Sequence, residues 1–136
     1  MKRATFVGMA AMVWLAAGCA QSPEPYLEAF TEQRSAWKEM AAILATIEDE
    51  TTMAAAKTKL DERSGRFEQI ARKAKALPKP SDDVKERLEQ ERFSMQRAAE
   101  NLQSEVARVR RLNLKGTAEF FNQFESYQSL LQAVRP

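Results

Sequence analysis

The side chains of this chain that could move a proton are carboxylates, lysines and tyrosines. Histidine is absent and Cys19 is the single cysteine. General acid–base work would fall to acidic pairs such as Glu86 and Glu89, three apart on one face of a helical stretch, or to the adjacent Asp61-Glu62 and Asp82-Asp83. Each pair stands among lysines and arginines, the setting of a solvated helix face, and no catalytic role is assigned to them. Without histidine there is no Glu-x-x-His set for a di-iron bundle, no histidine for haem and no Cys/His zinc site. One cysteine allows no disulfide within the chain. Met40, Met53 and Met95 recur at core spacing and read as packing. No glycine-rich phosphate loop and no nucleophile motif is found. The sequence reads as a non-enzyme with no cofactor and no metal.

The thiol remains, and its neighbours give it a chemistry. Lys2 and Arg3 open the chain, and Thr5 to Ala17 is an apolar run without charge. That run is shorter than the 20 or so apolar residues that span a bilayer, and it has the form of a secretory leader. Ala16, Ala17 and Gly18 then lead directly into Cys19. The arrangement resembles a bacterial lipobox, in which a thiol after a small residue is acylated and the chain is cut before it. Ala16 stands where that motif usually has Leu, with Leu15 one residue earlier. The resemblance implies a leader over 1–18, lipidation at Cys19 and a tether over 19–25. Ala20 follows the cysteine where an Asp would resemble an inner-membrane retention signal. This implies the outer membrane, facing the periplasm, in a diderm cell.

Charge narrows the partners. Taking Lys2 and Arg3 from the 21 basic residues leaves as many as the 19 acidic ones. A neutral domain gives no support to nucleic-acid binding, which rests on a basic surface. The expected partners are the membrane, through lipid on Cys19, and a protein partner or a second copy of the chain.

The elements behind these residues are helical. Glu, Lys, Arg, Gln, Ala and Leu dominate and glycine is rare, so the fold class is all-α. A first helix is expected over 26–47, where Phe30, Trp37 and Leu44 repeat at seven and Tyr26, Gln33, Met40 and Ile47 fill the second seam. Asp49 or Thr51 can cap a second helix that runs to about Leu77, with Met53, Leu60, Phe67 and Ala74 on one seam and Ala56, Arg63, Ile70 and Leu77 on the other. Gly65 weakens its middle and marks a site where it could kink. Pro78-Lys79-Pro80-Ser81 ends it, because neither proline can continue a helix. One long third helix is expected over 82–112, with Ser81 or Asp82 as its cap and Leu88, Met95, Leu102 and Val109 at spacing seven. Gly116 turns the chain, and Thr117 can cap a fourth helix bearing Phe120, Phe124, Tyr127, Leu131 and Val134. This is the most apolar helix, so it is expected to be the most surrounded. Gln33 and Arg63 interrupt the apolar seams and are read as lying at their edges, with the Arg63 head in water.

The segment Ile47-x-Asp49-x-x-Thr52-Met53-x-x-Ala56-x-x-x-Leu60, with the break Leu77-Pro78-Lys79-Pro80, is similar to a pattern in small bacterial helical lipoproteins of uncharacterised function. Met53 stands where those usually have Ala. The resemblance covers about the middle half of the chain and supports the fold without assigning a site.

Three short turns predict antiparallel neighbours. The expected domain, residues 26–136, is an antiparallel up-down-up-down four-helix bundle, the alternative being an extended helical hairpin that completes its core by dimerising. The bundle would put Arg72, Lys73, Lys75 and Lys79 at the tether end. Arg108, Arg110, Arg111 and Lys115 would lie at the far tip, where Arg110, Arg111 and Lys115 can face Glu48, Asp49 and Glu50. Both groups also sit at helix C-termini, where positive charge is favourable. The functional expectation is a membrane-anchored, non-catalytic interaction or envelope-structural module. The alternative is a binding protein for a small apolar or lipid ligand held among Trp37, Phe67, Phe120 and Phe124.

Overall fold

The computed structural model describes residues 20–132, so Cys19, the leader 1–18 and Val134 lie outside the described residues. Five helices follow one another: α1 (Glu24–Ala45), α2 (Glu50–Ala76), α3 (Asp82–Glu89), α4 (Arg92–Arg111) and α5 (Thr117–Gln132). They pack as an all-α bundle whose core closes within one chain.

Local chemistry sets the ends. Pro23 and Pro25 suit the start of α1, where backbone N–H groups have no helical partner, and the Pro23 carbonyl accepts from the amides of Tyr26 and Leu27. α2 opens on a capping box: Asp49 Oδ1 accepts from the Thr52 amide at 2.7 Å, and Thr52 Oγ1 accepts from the Asp49 amide at 2.9 Å. α2 is continuous through Gly65, so the expected weak point carries no break. It stops where Leu77 turns extended ahead of Pro78. Ser81, not Asp82, caps α3. The last turn uses left-handed backbone at Asn113 as well as Gly116, and the Thr117 hydroxyl donates back to the Leu114 carbonyl instead of capping α5.

The long third helix expected over 82–112 is two helices, α3 and α4. Gln90 and Glu91 keep right-handed backbone angles, so the interruption is a joint and not a loop. The Glu91 amide tightens to the Leu88 carbonyl at 2.9 Å, and the Ser94 hydroxyl takes up the Glu91 carbonyl at 2.8 Å. Arg34 of α1 reaches both the Glu91 carboxylate, at 3.1 Å, and Ser94. The start of α4 is thus fastened to α1.

Chain direction alternates as expected, but the neighbours differ. α1 and α2 are antiparallel, with Glu39 between Arg63 (2.8 Å) and Arg66 (2.7 Å) and Lys73 on Glu32 (2.9 Å). α4 packs chiefly on α1, in parallel, from Arg34–Glu91 to Arg108 beside Leu44 and Ile47. α5 packs chiefly on α2, also in parallel, with Gly116 beside Met53 and Tyr127 on Asp61. The second short turn therefore does not join packed neighbours. Its extended proline segment crosses the base beneath Tyr26, whose hydroxyl donates to the Pro78 carbonyl at 2.8 Å. As a result α1, and not the apolar α5, is the most surrounded helix.

The main core gathers Met40, Leu44, Phe67, Leu102, Val109 and Phe124, with Phe120, Phe121 and Phe124 in edge and stacked contact. Gln33 lies inside it at 3% exposure, against the edge position expected, and its Nε2 donates to the Leu131 carbonyl. That carbonyl lies in the last described turn of α5, so the buried amide ties α1 to this end of the helix. Arg63 does lie at the edge, half-exposed on Glu39. A second, smaller cluster of Tyr26, Val84 and Leu88 sits at the base, flanked by Leu27, Phe30 and Leu77.

Candidate functional site

The base is where the described chain begins. Gln21, two residues past Cys19, donates its Nε2 to the Lys79 carbonyl at 3.2 Å, and its Oε1 accepts from the Ser81 amide at 2.6 Å. This pins the start of the chain to the α2–α3 turn. The C-terminal end of α2 therefore shares the base with it, as the alternating topology requires. Of the four basic residues expected there, Lys73 is engaged in packing α2 on α1. It bridges Glu32 at 2.9 Å and Glu28 at 3.6 Å, and the hydrogen bond to Glu32 followed by the charge of Glu32 raises its pKa above the usual lysine value. Arg72, Lys75 and Lys79 are exposed and have no ion pair among the described residues.

The same end holds a cavity of about 290 Å³ between α1, the end of α2 and α3. Small residues leave the space: Ala29 on α1 faces Ala74 on α2, where larger side chains would meet. Tyr26, Phe30, Leu77 and Leu88 form the walls, and Lys79 and Lys85 are the two charged residues in the lining. Lys85 also pairs with the exposed Asp82 at 2.9 Å. On the other side of the Ala29–Leu77 contact a second hollow of about 280 Å³ is lined by Glu28, Glu32 and Lys73, a mixed-charge surface.

The far tip is tied shut. Arg108, one of the basic residues expected at this tip, turns to the end of α1. Its guanidinium donates to the Leu44 carbonyl at 2.7 Å and the Ile47 carbonyl at 2.9 Å, while Glu105 holds Nε at 2.8 Å. Arg108, steadied by Glu105, thus donates to carbonyls at the end of α1, where helical amides run out. Arg110 turns to Glu125 at 2.8 Å and lies over the Phe121 ring at 4.7 Å. Of the acidic turn, Glu50 meets the backbone amide of Lys115 at 3.3 Å. The sequence missed these roles because the partners Leu44, Ile47, Glu125 and Glu50 lie 15 to 65 residues away in the chain.

Of the carboxylates singled out in the sequence, Asp61, Asp82 and Glu89 are engaged structurally. Asp61 accepts from Gln123 and, at 2.9 Å, from Tyr127. Burial first, then this hydrogen bond to Asp61, raises the Tyr127 pKa above the ordinary phenol value, which keeps the hydroxyl a donor. Glu89 pairs with Arg92 at 3.2 Å and Asp82 with Lys85. Among the described residues no three His, Cys, Asp or Glu side chains stand together as a metal site, and no helix is long and apolar enough to cross a membrane. The four residues expected to surround an apolar ligand are not arranged around a cavity. Phe67, Phe120 and Phe124 are buried in the main core and Trp37 packs against it. The apolar cavity is instead at the base, lined by small residues that the aromatic pattern does not mark.

Comparison of the chain with protein-family models, curated proteins and solved structures finds no match.

Proposed function

We propose that this chain is a bacterial lipoprotein, cut before Cys19 and held on the envelope by lipid on that cysteine. Residues 26–136 then form a non-catalytic helical module for interaction with a protein partner or a second copy, or for envelope structure. The outer membrane, on its periplasmic face, is the proposed address in a diderm cell. The observation that carries this reading is the single cysteine placed directly after an apolar run and Ala16-Ala17-Gly18. It is supported by the fastening of Gln21 to the α2–α3 turn. A lipid two residues earlier would hold the base close to the membrane, since so short a segment reaches only about 7 Å. Arg72, Lys75 and Lys79 would then lie near lipid head groups, where anionic lipid attracts each basic residue by about 1 kcal/mol.

The test is metabolic labelling with a fatty-acid probe in a bacterial host. Wild-type chain is expected to take up label and fractionate with membranes. Cys19→Ser is expected to take up none, and to appear as uncleaved precursor or as released protein. Labelling that persists in the serine variant overturns the reading.

A further inference from the structure

The base cavity differs from the neighbouring hollow on α1 and α2, and from the one between α4 and α5, in the way its charge is arranged. Its walls are apolar, contributed by Tyr26, Phe30, Leu77 and Leu88, and its charged lining residues are both lysines. The hollow beside it carries Glu28 and Glu32 together with Lys73, and the one between α4 and α5 carries Arg110 with Glu119 and Glu125. Of these three, the base cavity joins an apolar interior to a cationic rim.

The cavity is also built into the fold. Ala29 and Ala74 keep α1 and α2 from filling it. The proline turn closes one side in extended form, fixed by the Tyr26–Pro78 and Gln21–Lys79 hydrogen bonds. α3 supplies Leu88 from beyond the joint at Gln90-Glu91. At about 290 Å³ it stands at the lower end of the range for small-molecule sites, about 300–1,000 Å³. That is room for a single chain, not a two-chain lipid. Apolar burial would supply the attraction, and a fixed cation at the mouth would orient the ligand.

We propose that this cavity binds a single-chain anionic amphiphile, a fatty-acid carboxylate, with its acyl chain between Phe30, Leu77 and Leu88 and its carboxylate at Lys79 and Lys85. Lys79 is the principal contact, because Lys85 is shared with Asp82. The site uses residues 26–88 alone and does not depend on lipid at Cys19.

The experiment uses the full chain made by cell-free synthesis without membranes, so that Cys19 is unmodified, and measures dodecanoate binding by calorimetry below its micelle concentration. Saturable binding at one site is expected, with dodecanol at least about tenfold weaker. Ala74→Leu fills the cavity and is expected to weaken dodecanoate by about tenfold or more while helix content is kept. Lys79→Glu changes an exposed turn residue and is expected to weaken dodecanoate while leaving dodecanol unchanged. If Ala74→Leu proves unstable, the Lys79→Glu comparison alone decides. Equal affinity for dodecanoate and dodecanol, or dodecanoate binding unmoved by Lys79→Glu, overturns the proposal. So does binding to phosphatidylglycerol vesicles without uptake of dodecanoate, which would mark a membrane-facing surface in place of a pocket.

Discussion

Phe67, Phe124, Met40 and Leu102 lie where four helices meet, and each is effectively removed from water. Val84 and Leu88 are just as buried, yet they meet only Tyr26, a few flanking apolar side chains and the open cavity. The two regions use the same residue types. They differ in how many elements close around them and in what locks their edges. At the tip, Arg108 ties α4 to the end of α1 and Glu50 ties α2 to the last turn. At the base, α3 is held by its small cluster and by a joint that departs from regular helix. A filled core with a tied edge specifies the fold, whereas a thinly closed one leaves room for a ligand.

The largest effect expected from this contrast is in the main core. Phe124→Ala should cost about 3–5 kcal/mol, as a buried aromatic whose neighbours on three helices cannot collapse into the gap. Leu88→Ala should cost about 2 kcal/mol, at the low end for a buried leucine, because its site already opens on a cavity. Thermal or urea melts of the two variants give the comparison. Equal losses would mean that the base is as firmly closed as the core.

How much of this was legible in the sequence follows the same division. The seven-residue seams through Met53, Leu60, Phe67 and Leu88, Met95, Leu102, Val109 are all buried, because a periodic apolar face must find a partner. The helix ends at Asp49, Ser81 and Pro78 were also visible, since caps and prolines act locally. Helix neighbours were not. Three short turns fix alternating direction, but which helix packs on which depends on the extended crossing at Pro78-Lys79-Pro80 and on Arg34 and Arg108, whose partners lie 57 to 64 residues away. Gln33 was misplaced for a similar reason. Its polarity suggested an edge, while its partner is the Leu131 carbonyl at the far end of the chain. The cavity escaped notice because Ala74 read as one more packed position of its seam and Ala29 was not marked, and a periodic pattern does not show whether a neighbour fills the space an alanine leaves.

An intermediate effect is expected at the tied edge. Arg108→Ala removes two hydrogen bonds from a charged group to the carbonyls of Leu44 and Ile47. Hydrogen bonds of this kind are worth about 1.5–3 kcal/mol; without Arg108 the Ile47 carbonyl loses its side-chain partner, while the Leu44 carbonyl keeps the Ile47 amide at 3.0 Å. A loss of about 2 kcal/mol in a urea melt is expected, with Arg108→Lys losing most of what Arg108→Ala loses, since an ammonium cannot hold the same fork. Full rescue by lysine would show that charge near the end of α1, and not the paired geometry, closes the tip.

The finest version of the contrast lies in the helix caps. At the tip Asp49 accepts from the Thr52 amide at 2.7 Å within a reciprocal box, while at the base Ser81 accepts from the Val84 amide at 3.4 Å. The Thr52 amide, and then the Thr52 hydroxyl, hold the Asp49 carboxyl below its ordinary pKa. A carboxylate whose pKa is lower folded than unfolded stabilises the fold above its unfolded pKa, and that contribution is lost as pH falls through the folded value. Asp49→Asn keeps a capping oxygen but has no charge to lose. Wild type should therefore melt slightly higher than Asp49→Asn at neutral pH, and the gap should close in acid. Ser81→Asn, at a cap without a titrating group, should differ from wild type by the same amount at both pH values. A gap for Asp49→Asn that stays constant into acid would mean that the α2 cap works through its shape alone, and that the tip owes its closure to Arg108 and the packed core.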